Sequence, residues 1–251
     1  DRTSRGLGDV YKRQLIRPHL GIITNIGEAH LENFKNVKGI AKAKSEIIES
    51  IKRGGKIILN RDDKFFNFLY QKAKSFNLEI ITFGKHRESN ILLKKIYEKN
   101  GNSKIFVNID NQSLIYEFRD INIYNILASL AVLHALKIDI KKIKSLIKNL
   151  QPTVGRGKKY NISRYKKKFR FIDESYNANP LSVKNAILRF NSFKKEKFKK
   201  YLVLGDMLEL GQKSRKYHEE ISKVINNSDI DKVFVKGCLL YTSDAADDWS
   251  C

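Results

Sequence analysis

The feature that most constrains this fold is a series of short apolar runs that alternate with amphipathic segments. Residues Leu20–Ile26 read LGIITNI, a continuous apolar run rich in β-branched residues, which is typical of a strand buried on both faces. Residues Val37–Lys52 carry apolar side chains at helical spacing, and Gly54 and Gly55 end that pattern. The alternation predicts an α/β fold with a doubly wound, mostly parallel sheet. Further elements of this series are predicted at Lys56–Asn60 (strand), Phe65–Ala73 (helix) and Glu79–Phe83 (strand).

The pattern changes between Ile91 and Phe118, where short segments alternate apolar and polar residues. Turn residues interrupt them at Asn100-Gly101-Asn102 and Asp110-Asn111, so we expect antiparallel strands appended to the sheet. Two helices are predicted next, at Asn122–Leu136 and Ile140–Leu150.

A break at Pro152 and Gly155-Arg156-Gly157 precedes a second α/β series. We therefore predict a central domain over residues 15–152 and a Rossmann-like C-terminal domain over 153–237. Residues 1–14 and 238–251 show no periodicity and resemble translated sequencing adapters, so we expect both to be extraneous tails. The predicted elements of the second series are the strands Phe169–Asp173, Lys200–Leu204 and Lys232–Val235 and the helices Leu181–Phe193 and Ser214–Ile225.

Composition narrows the class of protein. The formal net charge of +22 raises nucleic acid as a partner. The lysines are scattered, however, and accompany many other residues with AT-rich codons, so we expect no nucleic-acid partner. The two cysteines, Cys238 and Cys251, have neither metal-type spacing nor the number for a disulfide framework. No apolar run is long enough to span a bilayer, and we expect a cytoplasmic monomer without membrane insertion.

Polar residues follow the first predicted strand, in a position where α/β sheets bind ligands. The loop TNIGEAHLE carries His30, although a lone loop histidine is most often simply solvated. Lys44 lies four residues after Ile40 and three before Ile47, beside the apolar stripe of its helix. Loss of water at that position lowers a lysine's pKa and makes a neutral amine accessible.

The second series has its own polar strand ends. The segment FIDESYNANP brings Asp173, Tyr176, Asn177 and Asn179 together, although Asn-Ala-Asn-Pro is also a good helix-capping turn. The next strand ends in GDMLELG, where acids are framed by glycines. Two neighbouring strand ends with this composition predict a nucleotide or substrate cleft.

The motifs TNIGEAHLENF, AKSEI, NIYNILAS, VGRG, DESYNANP and LGDMLELG occur in the order that resembles the Mur ligase family. SYNANP paired with GDMLELG resembles the type that adds D-alanyl-D-alanine. The resemblance implies partial central ATPase and C-terminal domains of an ATP-dependent ligase in peptidoglycan precursor synthesis. It also implies ATP and Mg²⁺ as cofactors and UDP-N-acetylmuramoyl-tripeptide and D-alanyl-D-alanine as substrates, joined through an acyl phosphate.

The resemblance assigns roles in the predicted central domain. His30 matches a magnesium ligand, and Lys44 matches a lysine that the family carries as a carbamate, an oxygen ligand for magnesium. Both are thereby predicted to be catalytic. Asn122 and Asn125 match the pair that approaches adenine, although Ile121 stands where the family usually has histidine.

The resemblance also assigns roles from the break onwards. Arg156 matches an arginine that reaches the nucleotide, and Asp173 an acid that holds the ribose hydroxyls, so one ATP is expected to touch both domains. Tyr176, Asn177 and Asn179 fall in a loop on the acceptor-substrate side.

One departure from the family pattern bears on activity. The chain contains no G-x-x-G-K-[ST] phosphate loop, so we expect it to be a fragment that is inactive alone. Three alternatives stay open: another Mur-type amino-acid ligase, a catalytically dead homologue, and a basic nucleic-acid-binding module.

Overall fold

The computed structural model describes residues 17–27, 34, 36–99, 101–193 and 198–237. Contacts divide the chain into two compact units, and each is described by itself. The first combines the chain up to Ile26 with Ala41–Pro152, and the second combines Gly27–Ile40 with the chain from Thr153 onward. The predicted tails, 1–14 and 238–251, lie outside the described residues.

A six-stranded sheet forms the framework of the first unit. Its strands lie in chain order, the first four in parallel and the last three in antiparallel pairing. This is the predicted mostly parallel sheet with appended antiparallel strands. The strands are β1 (Leu20–Ile23), β2 (Lys56–Asn60), β3 (Glu79–Gly84), β4 (Ile91–Lys99), β5 (Asn102–Ile109) and β6 (Gln112–Arg119).

The core of this unit lies between the sheet and its third helix. That helix, Ile123–Ala135, carries pairs of neighbouring apolar residues that recur about once per helical turn. They form a wide buried stripe that contains Ile126, Leu127, Leu130 and Ala131. It packs on β2, β3 and β4. The helices are α1 (Val37–Ser50), most of which belongs to this unit, α2 (Phe66–Ser75), α3 (Ile123–Ala135) and α4 (Lys144–Asn149).

The strands β5 and β6 show the alternation of a sheet with one covered face. Asp110 and Asn111 both have positive φ, 47° and 62°, which matches the two-residue turn that best fits the twist of a hairpin. The inward residues are Ile105, Val107, Ile109, Leu114, Tyr116 and Phe118.

The second unit contains a parallel strand pair covered on one face by helices. Strands β9 and β10 pair in parallel, and Ile187, Met207, Ile221 and Val233 are buried in the core beside them. Its elements are β7 (Lys158–Arg164), β8 (Lys167–Asp173), α5 (Pro180–Asn191), β9 (Tyr201–Gly205), α6 (Ser214–Asn226) and β10 (Lys232–Lys236).

The predicted strand Phe169–Asp173 is present as part of β8, but its partner was missed. It pairs in antiparallel orientation with β7, where no strand was predicted. Tyr165 and Lys166 make the connecting turn, with φ of 51° and 59°. Neither residue belongs to the Gly, Asn and Asp group that normally adopts positive φ, so the turn had no sequence signal.

A second difference concerns α4, which begins at Lys144 rather than at the predicted Ile140. Asp139 accepts a hydrogen bond from the backbone N–H of Lys141 through Oδ1, at 3.0 Å. The Tyr116 hydroxyl donates to the carbonyl of Ile140, also at 3.0 Å. These bonds hold the segment in a turn, and the helix starts only after it.

None of the described helices combines the length and the apolar character that crossing a membrane requires.

We predict that Leu127→Ala destabilises the chain by about 3 kcal/mol, because it leaves a cavity in the core beneath α3. Leu127 is completely buried. Leu146→Ala is the matched control, since Leu146 is a helical leucine that is 65% exposed; we expect a loss of no more than about 0.5 kcal/mol. Urea unfolding followed by circular dichroism measures both, and equal losses would contradict the placement of the core.

Candidate functional site

Strands β1 and β2 pair up to Ile23 and Leu59, and beyond these residues side-chain hydrogen bonds connect the two segments. The carbonyl of Thr24 accepts a hydrogen bond from Asn60 Nδ2 at 3.0 Å, and the N–H of Ile26 donates to Asp63 Oδ2 at 2.7 Å. For this reason β1 ends at Ile23 rather than at the predicted Ile26. The loop that leaves β1 is therefore held in a defined path from its first residues.

Lys44 contacts that loop from α1. Its Nζ donates to the carbonyl of Asn25 at 3.1 Å. The side chain as a whole is exposed, and it lies beside the buried face formed by Ala41, Ser45 and Ile48. Loss of water around its terminal nitrogen lowers the pKa of Lys44, while the negative charge of Asp63 opposes this shift. The predicted desolvation is thus present at the nitrogen, although not along the stem.

His30, the other predicted magnesium ligand, lies outside the described residues. Among the residues that the structure does describe, there is no cluster of three or more His, Cys, Asp or Glu side chains able to hold a metal ion.

Asp62 organises the next strand end, and the sequence analysis did not single it out. Its carboxylate accepts the backbone N–H of Lys85 at 2.6 Å and that of His86 at 3.1 Å. Gly84 passes so close that an added Cβ would lie 2.6 Å from Asp62 Oδ2, and its φ of +146° also requires glycine. The only available signal was the pair of acids after β2, which does not reveal the partners.

Tyr124, in the first turn of α3, completes this arrangement. Its hydroxyl donates to Asp62 Oδ2 at 2.8 Å. Burial, this hydrogen bond and the charge of Asp62 raise the pKa of Tyr124 above its usual value. The phenol therefore stays protonated and acts as a donor at neutral pH.

The two predicted adenine residues sit at the start of the same helix. Asn122 is the N-cap of α3, and its Oδ1 accepts the backbone N–H of Tyr124 at 2.8 Å. Asn125 follows within the first turn, and its side chain is exposed. The structure brings this pair together at one helix terminus, and their role towards adenine stays a prediction.

In the second unit, Asp173 is the centre of a compact loop. Its Oδ1 accepts the hydroxyl of Ser175 at 2.6 Å and the N–H of Ser175 at 3.1 Å. Its Oδ2 accepts the N–H of Gly155 at 3.0 Å. These bonds, the Ser175 hydroxyl first, lower the pKa of Asp173. The carboxylate thus ties the segment after Pro152 to the end of β8.

Arg156 and Tyr176 are stacked across the same loop. The guanidinium carbon of Arg156 lies 4.2 Å from the centre of the Tyr176 ring. The Tyr176 N–H donates to the carbonyl of Gly155 at 3.1 Å, and an added Cβ on Gly155 would lie 2.8 Å from Tyr176 Cβ. The predicted nucleotide residue Arg156 is therefore in contact with Tyr176, which was predicted to bind substrate.

The last two predicted acceptor-side residues differ from each other. Asn177 is exposed. Asn179 is the N-cap of α5, and its Oδ1 accepts the backbone N–H of Ser182 at 2.9 Å. In return, the backbone N–H of Asn179 donates to the Ser182 hydroxyl oxygen at 3.0 Å. The interpretation of this segment as a helix-capping turn is therefore confirmed at Asn179. A substrate role of Asn177 or Asn179 stays a prediction.

The GDMLELG segment follows β9 and is anchored by a histidine that the sequence analysis missed. His218 in α6 is fully buried, and its Nε2 accepts the backbone N–H of Met207 at 3.0 Å. Its Nδ1 lies 2.8 Å from the carbonyl of Ser214, so a neutral ring protonated on Nδ1 satisfies both contacts. Leu208, at the tip of the segment, is 76% exposed.

Two protein-family models match this chain, one in each half. Residues 2–133 match the Mur ligase middle domain, and residues 161–247 match the "Mur ligase, glutamate ligase domain". The chain belongs to the Mur ligase family.

Individual relatives agree with this assignment. A UDP-N-acetylmuramoyl-tripeptide–D-alanyl-D-alanine ligase from Buchnera aphidicola is 34% identical over 90% of this Mur ligase chain and 49% of its own length. MurF from Acinetobacter baumannii superposes with a TM-score of 0.79 at 27% identity, over 91% of this chain and 49% of that one. MurF from Thermotoga maritima in complex with ADP superposes with a TM-score of 0.75 at 25% identity, over 94% of this chain and 52% of that one. The chain thus spans about half the length of the relatives it matches.

The Asp173 network of this Mur ligase chain predicts a pH-dependent contribution to stability. Because the pKa of Asp173 is lowered by folding, its contribution is present above the unfolded value of about 4 and is lost as pH falls through the folded value. We expect Asp173→Asn to be less stable than wild type at neutral pH, and the difference to narrow below about pH 4.

Urea unfolding of both proteins between about pH 7 and pH 3 tests this expectation. Glu219→Gln is the control, because Glu219 belongs to an exposed pair with Arg215 that stabilises little. A difference for Asp173→Asn that does not change with pH would show that the network does not depend on the charged carboxylate.

Proposed function

We propose that this chain is part of an ATP-dependent ligase that joins D-alanyl-D-alanine to UDP-N-acetylmuramoyl-tripeptide through an acyl phosphate. The enzyme would act in the cytoplasm, in the synthesis of peptidoglycan precursors. The observation that carries the proposal is the similarity to ligases of this name and to MurF structures over about nine tenths of the chain. Membership of the Mur ligase family favours it over the nucleic-acid-binding module.

For the nucleotide, we assign Asn122 and Asn125 to adenine, Arg156 to the phosphates and Asp173 to the ribose. The ADP bound by the Thermotoga maritima relative supports a nucleotide function. Arg156 suits the task because a guanidinium donates paired hydrogen bonds to phosphate oxygens, and stacking on Tyr176 limits its freedom before binding. Asp173 keeps one lone pair for a hydroxyl, on Oδ2, since Oδ1 already accepts two hydrogen bonds and Oδ2 accepts one.

For the acceptor substrate, we propose that Tyr176, Asn177 and Asn179 line the binding loop. Asn177 is exposed and able to donate and accept hydrogen bonds with a dipeptide. Asn179 uses its Oδ1 for the α5 cap, which leaves its amide nitrogen as the group that can face a substrate.

We propose that Lys44 reacts as a neutral amine, because a protonated lysine has no lone pair with which to form a carbamate. With its pKa lowered, the amine becomes neutral more readily, and its nitrogen can attack the carbon of CO₂ and release a proton. The product is a carbamate with one negative charge and two oxygens. Its remaining N–H can still donate to the carbonyl of Asn25, so the contact seen here fits the modified residue.

A Lys44 carbamate would provide the oxygen ligands that Mg²⁺ prefers, and we propose that Lys44 holds the ion together with a ring nitrogen of His30. When bound, the ion would neutralise negative charge on the phosphates during phosphoryl transfer. The residues themselves bind and orient: Lys44 is fixed by the Asn25 carbonyl, whose loop is fixed by Asn60 and Asp63.

The absence of a G-x-x-G-K-[ST] motif from these 251 residues leads us to propose that the chain alone is inactive. The function is therefore tested in the complete ligase that carries this chain. Incubated with ATP, UDP-N-acetylmuramoyl-tripeptide and D-alanyl-D-alanine, it should release phosphate and form the pentapeptide product, detected by mass spectrometry.

Parallel reactions replace both substrates, with L-alanine and UDP-N-acetylmuramate in one and 2,6-diaminopimelate and UDP-N-acetylmuramoyl-L-alanyl-D-glutamate in another, the pairs in the names of two similar ligases. A product with a single amino acid and none with the dipeptide would favour another Mur-type ligase. No product with any acceptor would favour a catalytically dead homologue.

We predict that Lys44→Ala removes a carbamate from the chain and most of the turnover from the complete ligase. With ¹³C-bicarbonate, the wild-type chain should show a carbamate NMR signal that grows as pH rises from about 6.5 to 8.5, because more of the amine is neutral. Turnover should fall by about 100-fold or more, with partial recovery on addition of a short carboxylate.

Lys42→Ala is the matched control, since Lys42 is an exposed lysine in the same helix. We expect it to keep both the signal and the turnover. Undiminished turnover in Lys44→Ala would remove the carbamate from the mechanism.

A further inference from the structure

Within the described residues, a hydrogen bond from a distant part of the sequence joins the start of α3 to the sheet. Tyr124 immediately precedes Asn125, and its hydroxyl binds Asp62, which lies 62 residues earlier in the chain. Asn122, the N-cap, is bound to the backbone of Tyr124 itself. Of the two residues between the asparagines, Tyr124 is thus the one that reaches the strand ends.

Asp62 is a rigid anchor for this contact. Two backbone N–H groups beyond β3, those of Lys85 and His86, bind its carboxylate and fix its direction. Gly84 passes beside this carboxylate, where an added Cβ would lie 2.6 Å from Asp62 Oδ2. A hydroxyl that binds such an acceptor takes up a defined position relative to β2 and β3.

Between its first turn and its last, where His134 Nδ1 lies 3.4 Å from Asp110 Oδ2, α3 is held mainly by contacts that lack direction. Its buried face, including Leu127 and Leu130, packs on the sheet through apolar surface. Burial of apolar surface favours contact, but it distinguishes poorly between small rotations of a helix about its axis. Successive helical residues are about 100° apart, so fixing Tyr124 also fixes the direction of Asn125.

We propose that Asp62 and Tyr124 form a positioning pair that sets the direction in which Asn125 presents its amide, and thereby contributes to the selection of adenine over guanine. This inference rests on the proposed function. A side-chain amide recognises adenine by accepting from its exocyclic amino group while donating to a ring nitrogen. Guanine presents a carbonyl oxygen instead of that amino group, so discrimination depends on where the amide is held.

The test removes one hydroxyl and keeps the ring. Tyr124→Phe deletes the bond to Asp62, and the two backbone donors to that exposed carboxylate remain. Tyr116→Phe is the matched control, because it deletes another tyrosine hydroxyl bond of the same unit, to the carbonyl of Ile140. Both variants lose one phenolic hydrogen bond, but only the first lies at the start of α3.

Two measurements are made on both variants. In this chain, Tyr124→Phe should speed amide hydrogen exchange at Asn125 and Ile126 about fivefold, the effect of losing one ordinary hydrogen bond. In the complete ligase, the ratio of kcat/KM for ATP to that for GTP should fall about fivefold, while kcat with saturating ATP changes less than about twofold. Tyr116→Phe should change neither the exchange at these residues nor the ratio.

An unchanged nucleotide ratio in Tyr124→Phe, or an equal fall in Tyr116→Phe, would overturn the inference. Unchanged exchange at Asn125 and Ile126 would overturn it as well, without any need for activity. If the wild-type complete ligase does not use ATP at all, the proposed function fails, and the exchange comparison still decides whether the pair positions Asn125.

Discussion

The carboxyl ends of parallel strands leave backbone groups without ladder partners, and the rest of this structure depends on how side chains satisfy them. Buried or partly buried N–H and C=O groups must be paired, so a loop that leaves a sheet needs acceptors and donors of its own. Asn60 and Asp63 provide them for the loop after β1, and Asp62 for the loop after β3. In the second unit Asp173, at the end of the antiparallel hairpin of β7 and β8, likewise accepts from the N–H groups of Gly155 and Ser175. In both regions that carry predicted site residues, carboxylates therefore satisfy backbone groups beside strand ends.

The regular elements were predictable because their signals are local. The alternation in β5 and β6, the apolar stripe of α3 and the turn at Asp110-Asn111 can each be recognised within about ten residues, and all three are present. The hairpin of β7 and β8 was not predictable, because its turn uses Tyr165 and Lys166 in a conformation that these residues rarely adopt.

The candidate site was predictable only in part, and for a related reason. The residues carried over by resemblance stand in short motifs, whereas the contacts that hold them join distant segments. Nothing in the sequence around Asp62 indicates that its partner is Tyr124, and nothing around Met207 indicates His218. Such hydrogen bonds leave no periodic pattern in the sequence, and they appear only when a helix packs beside the segment that follows a strand.

The structural and functional interpretations of a residue are compatible at both capped helices. Asn122 and Asn179 each use the side-chain oxygen to accept from the first turn of a helix. The amide nitrogen of each is a separate group with two protons to donate. Capping fixes the direction of that nitrogen, so a residue that starts a helix can also present a well-placed donor to a ligand.

The two aspartates after β2 have a consequence for the supply of metal ligands. By composition, this edge is acidic and looks ready to coordinate a cation. Yet all four carboxylate oxygens of Asp62 and Asp63 already accept at least one hydrogen bond from the protein. Only Asp62 Oδ2 accepts two, so each of the other three oxygens keeps one lone pair, whose direction is set by the bonds that shape the loops. A cation at this edge could use only those lone pairs, and the acidity of a strand end therefore overstates its free coordinating capacity.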